Sequence, residues 1–251
     1  MKTKIFFLLL CLASFWGSIE SSAQSSHLRI MSYNVRNCLG MDSVLDYQRV
    51  ADVIRTADPD LVGLQELDSM TQRYPGKVAL SELAERTGMY AVYVPTMDYR
   101  GGKYGHGILS KEKPIGREIV PLISSKEPRV MLIVEFPDYF LCNLHLSIHA
   151  KDRPESARII IDRVSRLDKP VFLTGDFNAR PTESTIVLLQ KYFTPLSDPA
   201  MKTSPANNPR ATIDYIFFYT ARNPEYETSG ARVIEEPVAS DHRPLVVDVK
   251  F

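Results

Sequence analysis

Polar groups able to hold a metal ion or a phosphate recur at the ends of apolar runs. Asn34 follows Leu28–Tyr33, Gln65-Glu66 follow Leu61–Leu64, and Asn143 and His145 follow Tyr139–Cys142. Gly175-Asp176-Phe177-Asn178 follows Val171–Thr174, and Ser240-Asp241-His242 stands just before the last apolar run. An Asp after a strand is ordinarily a turn residue or a helix cap. A buried carboxylate, however, is costly unless paired or bound to a cation. Five such ends together predict one shared polar site where loops converge at one end of the sheets. The donor set is rich in oxygen (Glu66, Asp176, Asp241, with Asn34 and Asn178), which favours Mg²⁺ or Mn²⁺ over zinc. Such an ion beside carboxylates and histidines suits phosphoryl chemistry, because it neutralises phosphate charge and helps deprotonate water.

Asp214 adds to this pattern. In Ile213-Asp214-Tyr215-Ile216-Phe217-Phe218, alternation puts Asp214 on the face of Ile216 and Phe218. A carboxylate on a core face needs a buried partner, and His242 is the imidazole expected there, oriented and held protonated by the acid. Other chemistries lack their signatures. There is no G-x-S-x-G, Walker loop or dinucleotide fingerprint, and neither Cys38 nor Cys142 lies in a catalytic setting.

The elements that must position these groups alternate between strands and helices, then end in strands. Strand-like runs are expected at 27–35, 61–64, 91–94, 107–110, 130–136, 139–146, 171–174, 212–218, 230–235 and 245–251. Ser43 with Asp46 resembles a capping box opening a helix with the stripe Val50, Val53, Ile54 and Ala57, stopped at Asp58-Pro59. A second helix carries Leu80, Leu83, Ala84 and Thr87 and ends at Gly88. A third follows Pro154, with Ala157, Ile160, Ile161, Val164 and Leu167 inward, and 183–190 is briefly helical. Arg153, Arg158, Arg163 and Arg166 read as its solvated face, His149 as a loop residue, and 191–211 as an irregular loop. Several strands are too close in sequence for helical crossovers, so mixed sheets packed face to face with helices outside are expected.

Composition sets the frame. The 251 residues hold 30 Lys+Arg against 30 Asp+Glu, with 44% hydrophobic residues, which excludes disorder, collagen and coiled coil. Zero net charge argues against coating nucleic acid by bulk electrostatics, but not against a local phosphate site. Lys2 and Lys4, an apolar run from Ile5 to Trp16, and small residues to Ala23 read as a signal peptide over 1–23. The expected mature chain, 24–251, is then one exported domain, periplasmic or secreted. Two mature cysteines make no disulfide scaffold. Cys142 is expected as a core filler, with a Cys38–Cys142 bridge as the alternative.

The segments Ser32-Tyr33-Asn34, Leu64-Gln65-Glu66, Asn143-Leu144-His145-Leu146, Gly175-Asp176-Phe177-Asn178, Ile213-Asp214-Tyr215 and Ser240-Asp241-His242 occur in family order. Over 28–248 the chain resembles the endonuclease/exonuclease/phosphatase family of Mg²⁺-dependent, deoxyribonuclease I-like phosphoesterases. The resemblance implies a four-layer α/β sandwich, two packed mixed β-sheets flanked by helices. It implies Glu66 as principal metal ligand with Asn34 and Asp241 in or near the shell. Asp176 and Asn178 would position the attacking water and the phosphate, and His145 would bond a phosphate oxygen. His242, paired with Asp214, would serve as base or charge stabiliser. Tyr104–Lys111 resembles the family strand in which Asn often stands at the position of His106, so His106 is a substrate-contact candidate beside the reading of a solvated strand end. The implied activity is metal-dependent hydrolysis of a phosphoric ester by in-line attack of water, with a phosphodiesterase or nuclease first. A sphingomyelinase-like enzyme or a small phosphate-ester phosphatase is the alternative, and a non-catalytic binding module ranks below both. The partner is thus a phosphate ester (nucleic acid, phospholipid headgroup or small phosphoester) and the cofactor Mg²⁺, with Mn²⁺ possible. A monomer without an obligate protein partner is expected.

Overall fold

The computed structural model describes residues 27–222 and 224–251; the signal peptide expected over 1–23 lies outside the described residues. Two six-stranded mixed sheets pack face to face. The first runs β11 (Glu227–Val233), β12 (Leu245–Lys250), β1 (His27–Asn34), β2 (Leu61–Ser69), β4 (Gly102–Ser110), β3 (Tyr90–Tyr99). The second runs β5 (Gly116–Leu122), β6 (Arg129–Glu135), β7 (Phe140–His145), β8 (Val171–Asp176), β10 (Asp214–Tyr219), β9 (Phe193–Pro195).

Alternation along the strands sends each sheet's side chains into two cores. Ile30, Leu61 and Ile108 meet Leu132, Leu141, Phe172, Ile216 and Phe218 between the sheets. On the first sheet's outer face, Met31, Tyr33, Val62 and Leu64 pack on α1 (Tyr47–Ala57) and α2 (Ala79–Thr87) through Val50, Ile54, Leu80 and Leu83. On the second sheet's outer face, Met131, Cys142, Leu144, Leu173 and Phe217 pack on α3 (Arg153–Val164) and α4 (Ser184–Leu189) through Ile160, Val164 and Ile186. The result is the four-layer sandwich expected from the sequence.

Topology places the site. Each sheet has one parallel pair joined by a helical crossover, β1/β2 through α1 and β7/β8 through α3. Parallel strands finish at the same end, so the register sets Asn34 beside Gln65 and His145 beside Asp176. Antiparallel β10 begins where β8 ends, bringing Asp214 opposite Asp176.

Several expectations are corrected. The first helix is capped by Asp46, whose carboxylate accepts the Arg49 amide at 2.9 Å, and not by Ser43. β5 escaped detection because it is an edge strand with Gly116 and Pro121, exposing Ile119 while half-burying Glu118. β9 lies inside the segment read as irregular loop, and β3 and β4 extend to a hairpin tip at 100–101. Cys38 and Cys142 are both free and buried: Cys38 packs in the α1 core, Cys142 in the α3 core, with both sheets between them.

Candidate active site

The first sheet supplies Asn34 and Glu66. A bulge between Leu64 and Leu67 interrupts the β2–β4 ladder, and Glu66 sits there at φ +59°. A left-handed conformation costs a non-glycine residue about 1–3 kcal/mol and persists where the surroundings enforce it. Here it accompanies a divergence of two consecutive side chains, Gln65 to the second sheet and Glu66 to Asn34. Gln65 donates to Asn143 Oδ1 at 2.7 Å, while Glu66 Oε1 accepts from Asn34 Nδ2 at 3.1 Å. The same Asn34 amide donates to Asp176 Oδ2 at 3.1 Å, and its Oδ1 accepts the Arg36 amide at 3.1 Å. Asn34 therefore bridges two carboxylates, with its orientation fixed by the backbone behind it.

The second sheet supplies His145, Asp176 and Asp214, and the loop before β12 supplies Asp241 and His242. Asp176 Oδ1 accepts the Asn178 amide at 2.8 Å; His145 Nε2 stands 3.5 Å and His242 Nε2 3.8 Å from Asp176 Oδ2. His242 Nδ1 lies 2.9 Å from Asp214 Oδ2, which also accepts the Thr203 hydroxyl. Ser240 holds the loop in place by donating to the Asn34 carbonyl at 2.7 Å. Asn178, at φ +50°, donates its side-chain amide to the Leu146 carbonyl at 3.0 Å. Asp241 stays at the surface, 3.9 Å from Arg36 Nε.

The electrostatics follow from burial and pairing. Burial works against a charged His242, yet the charge and hydrogen bond of Asp214 and the charges of Asp176 and Asp241 outweigh it, raising its pKa to about 10. At neutral pH without metal, His242 is an imidazolium pointing an N–H toward Asp176. Burial and the Asp214 charge push Asp176 well above the usual carboxylate range. Glu66 is raised by burial and by Asp241, against the Asn34 bond and the charges of His242 and Arg129. His145 is held neutral, well below its ordinary value, by burial and the charges of Arg129 and His242.

The fit to a divalent cation rests on this donor set. Asp176, Asp214 and His242 bring ligand atoms within 4.8 Å of one another. Those atoms are largely engaged: Asp214 and His242 hold each other, and Asp176 is tied to Asn34 and Asn178. Glu66 accepts one side-chain bond, from Asn34, and faces the charge of Asp241. Carboxylates with lone pairs to spare are what a hard cation takes. Glu66, Asp241 and the Asp176 edge are thus the groups able to hold one.

These contacts link Asn34, Glu66, His145, Asp176, Asn178, Asp214 and His242 to one another, with Asp241 beside His242 in the same loop, and some expectations change. His106 is buried, only 2% exposed, so the solvated strand end is overturned; burial and the Arg129 charge lower its pKa to about 3. Arg153 is not on a solvated helix face: it is buried and donates to the Asn178 carbonyl and Glu183. Arg129 was missed altogether. It opens β6 beside the end of β7, buried, paired with Glu127 at 2.7 Å, its Nε without a protein partner among the described residues. A charge at the head of the apolar run Val130–Val134 was the available signal. Thr203, from the segment read as irregular, carried none.

A model of the "Endonuclease/Exonuclease/phosphatase family" matches residues 31–242. No curated protein matches the sequence significantly. Among solved structures, a family protein from Bacteroides thetaiotaomicron superposes with TM-score 0.74 at 20% identity, covering 91% of this chain and 96% of that one. A mannosyl-6-phosphatase of the same organism gives TM-score 0.72 at 20% identity, covering 89% and 100%. The human Nocturnin catalytic domain with bound sulfate gives 0.68 at 18% identity, covering 90% and 96%. At these identities the superpositions speak for the fold, while the family model spans every site segment from β1 to His242. The chain belongs to the endonuclease/exonuclease/phosphatase family, whose members are hydrolases acting on phosphoesters.

Proposed function

We propose that the protein is an exported, Mg²⁺-dependent phosphoric-ester hydrolase, and that a phosphodiester, with nucleic acid first, is its substrate. The observation that carries the chemistry is the Asp214–His242 pair aimed at Asp176, with Asn34 bridging Asp176 to Glu66. Glu66 and Asp241, with Asn34 beside them, would hold the ion, which neutralises phosphate charge and lowers the pKa of water when bound. Asp176, whose pKa is raised, is the group suited to take a proton from the attacking water. His242 enters as an imidazolium fixed by Asp214 and stabilises the charge that develops on the phosphoryl oxygens. His145 and Asn178 orient the phosphate for in-line attack, so catalysis is chiefly positioning and electrostatics. Export rests on the signal-like residues 1–23.

Arg129 favours a second reading, a phosphate monoester. Its buried guanidinium retains a free Nε–H beside neutral His145 and His106. A dianionic phosphate with three free oxygens uses one more donor than a diester does.

The test is a panel of single- and double-stranded DNA, RNA, a nitrophenyl diester and a nitrophenyl monoester, with Mg²⁺ and with EDTA. Hydrolysis that EDTA abolishes and Glu66→Ala lowers at least 10²-fold is expected. Equal rates with Mg²⁺, with EDTA and in Glu66→Ala would defeat the mechanism. The diester-to-monoester ratio decides between the two readings.

A further inference from the structure

We propose that Arg153 is a positioning residue for the reaction, holding the Asp176–Asn178 turn through the Asn178 carbonyl. The catalytic part of this inference rests on the phosphoester reading above.

Arg153 is the first residue of α3, in the layer outside the second sheet. Nothing in the helix favours it there. The first turn carries the positive end of the helix dipole, which disfavours a cation. The side chain is also buried, 6% exposed, and its Nε lacks a protein partner among the described residues. Two unfavourable terms with no local return point to a tertiary purpose. Its guanidinium reaches across to the Asn178 carbonyl and is steadied from the other side by Glu183. Glu183 in turn accepts the Arg180 amide at 2.8 Å, closing the loop that follows the turn.

The object held is a strained reversal. Asn178 adopts φ +50°, which presents its amide to Asp176 Oδ1 and its side chain to the Leu146 carbonyl one residue beyond His145. The turn's other anchors are neutral: the Phe177 amide to the Ile213 carbonyl at 2.8 Å, and the Tyr215 hydroxyl to the Ala179 carbonyl at 2.9 Å. Arg153 supplies a charge-assisted bond at the left-handed residue itself, the point from which the Asp176 and Leu146 contacts are presented. Asp152, immediately before it, is used in the same way. Its carboxylate does not cap α3; it accepts the Ser125 amide at 2.8 Å and the Ser147 hydroxyl at 2.8 Å, fixing the loops that lead into Arg129 and away from His145. The start of α3 is thus given over to the site's loops.

The experiment measures amide hydrogen exchange at Asn178 in the metal-free protein, and steady-state kinetics on a nitrophenyl diester with Mg²⁺. Arg153→Met is expected to speed Asn178 exchange at least tenfold. It is expected to lower kcat about 10- to 100-fold, with KM and Mg²⁺ affinity within about threefold of wild type. Arg153→Lys, which keeps a cationic donor, should recover part of both losses, a rescue that loss of bulk packing alone would not predict. Should Arg153→Met fail to fold, Glu183→Gln keeps an acceptor for Arg180 while loosening the guanidinium. A roughly threefold rise in Asn178 exchange is expected there. Unchanged exchange at Asn178 in whichever variant is read overturns the inference. A wild type that hydrolyses no phosphoester defeats the phosphoester reading alone, and exchange still decides whether Arg153 holds the turn.

Discussion

The two flanks of the site are built on opposite principles. On the second sheet's side, the Asp176, Asp214 and His242 side chains are 3%, 1% and 9% exposed, and their hydrogen bonds interlock. Toward solvent, Asp241 and Arg36 are 40% and 38% exposed and meet only at 3.9 Å. Charges buried together need each other, so removing one leaves the rest uncompensated. Charges at the rim are screened and individually weak. The inner flank therefore has its geometry set before a ligand arrives, and the outer flank keeps lone pairs free for one. Asn34, bonded to Glu66 and Asp176, joins the two.

The largest expected effect breaks the inner flank. His242→Ala should lower kcat about 10³-fold or more, because it removes the imidazolium and strands Asp214. Asp241→Asn should cost far less, about tenfold, and should appear mainly as weaker Mg²⁺ affinity in a titration. Equal losses in these two variants would erase the distinction between the flanks.

A pH series sharpens the same contrast. The folded pKa of His242, about 10, lies above its unfolded value of 6.5. The folded state thus binds the extra proton, and the resulting stability is full below pH 6.5 and lost as pH rises toward 10. In the metal-free protein, the stability gap between wild type and Asp214→Asn should shrink over that window by roughly 3–5 kcal/mol, read by urea unfolding at each pH. A constant gap would mean that the pair does not hold the proton.

The smallest effect on chemistry, though not on stability, is expected beneath the site. Asn143 crosses from β7 to the first sheet, donating to the Leu64 and Gly107 carbonyls at 3.0 and 2.9 Å and accepting from Gln65. Gly63 permits this approach, since a Cβ there would lie 2.2 Å from Thr174 Oγ1 and 2.7 Å from Asn143 Oδ1. Asn143→Ala should destabilise the fold by about 2–4 kcal/mol through orphaned buried carbonyls. The folded fraction should retain kcat within about tenfold. A greater loss of kcat with unchanged stability would place Asn143 in the chemistry.

Residue types and order along the chain already marked Asn34, Glu66, His145, Asp176, Asn178, Asp214, Asp241 and His242, because a turn or a cap explains one polar group ending an apolar run but not five in one chain. Alternation put Asp214 on a core face, the need of a buried carboxylate for a partner pointed to His242, and the 2.9 Å contact realises the pair. Strands too close in sequence for helical crossovers likewise pointed to mixed sheets packed face to face with helices outside, and the family resemblance implied the four layers. Tertiary structure decided the rest, because burial, strain and the reach of long side chains arise only when distant segments meet. No local pattern says that Glu66 lies in a bulge at φ +59°, or that Thr203 completes the hold on Asp214. Nor do helical periodicity and strand alternation reveal that Arg153 on α3 and Arg129 on β6 are drawn inward: each pattern reports which face is apolar, and a guanidinium on a flexible stem leaves its face when a buried carbonyl or carboxylate offers a partner.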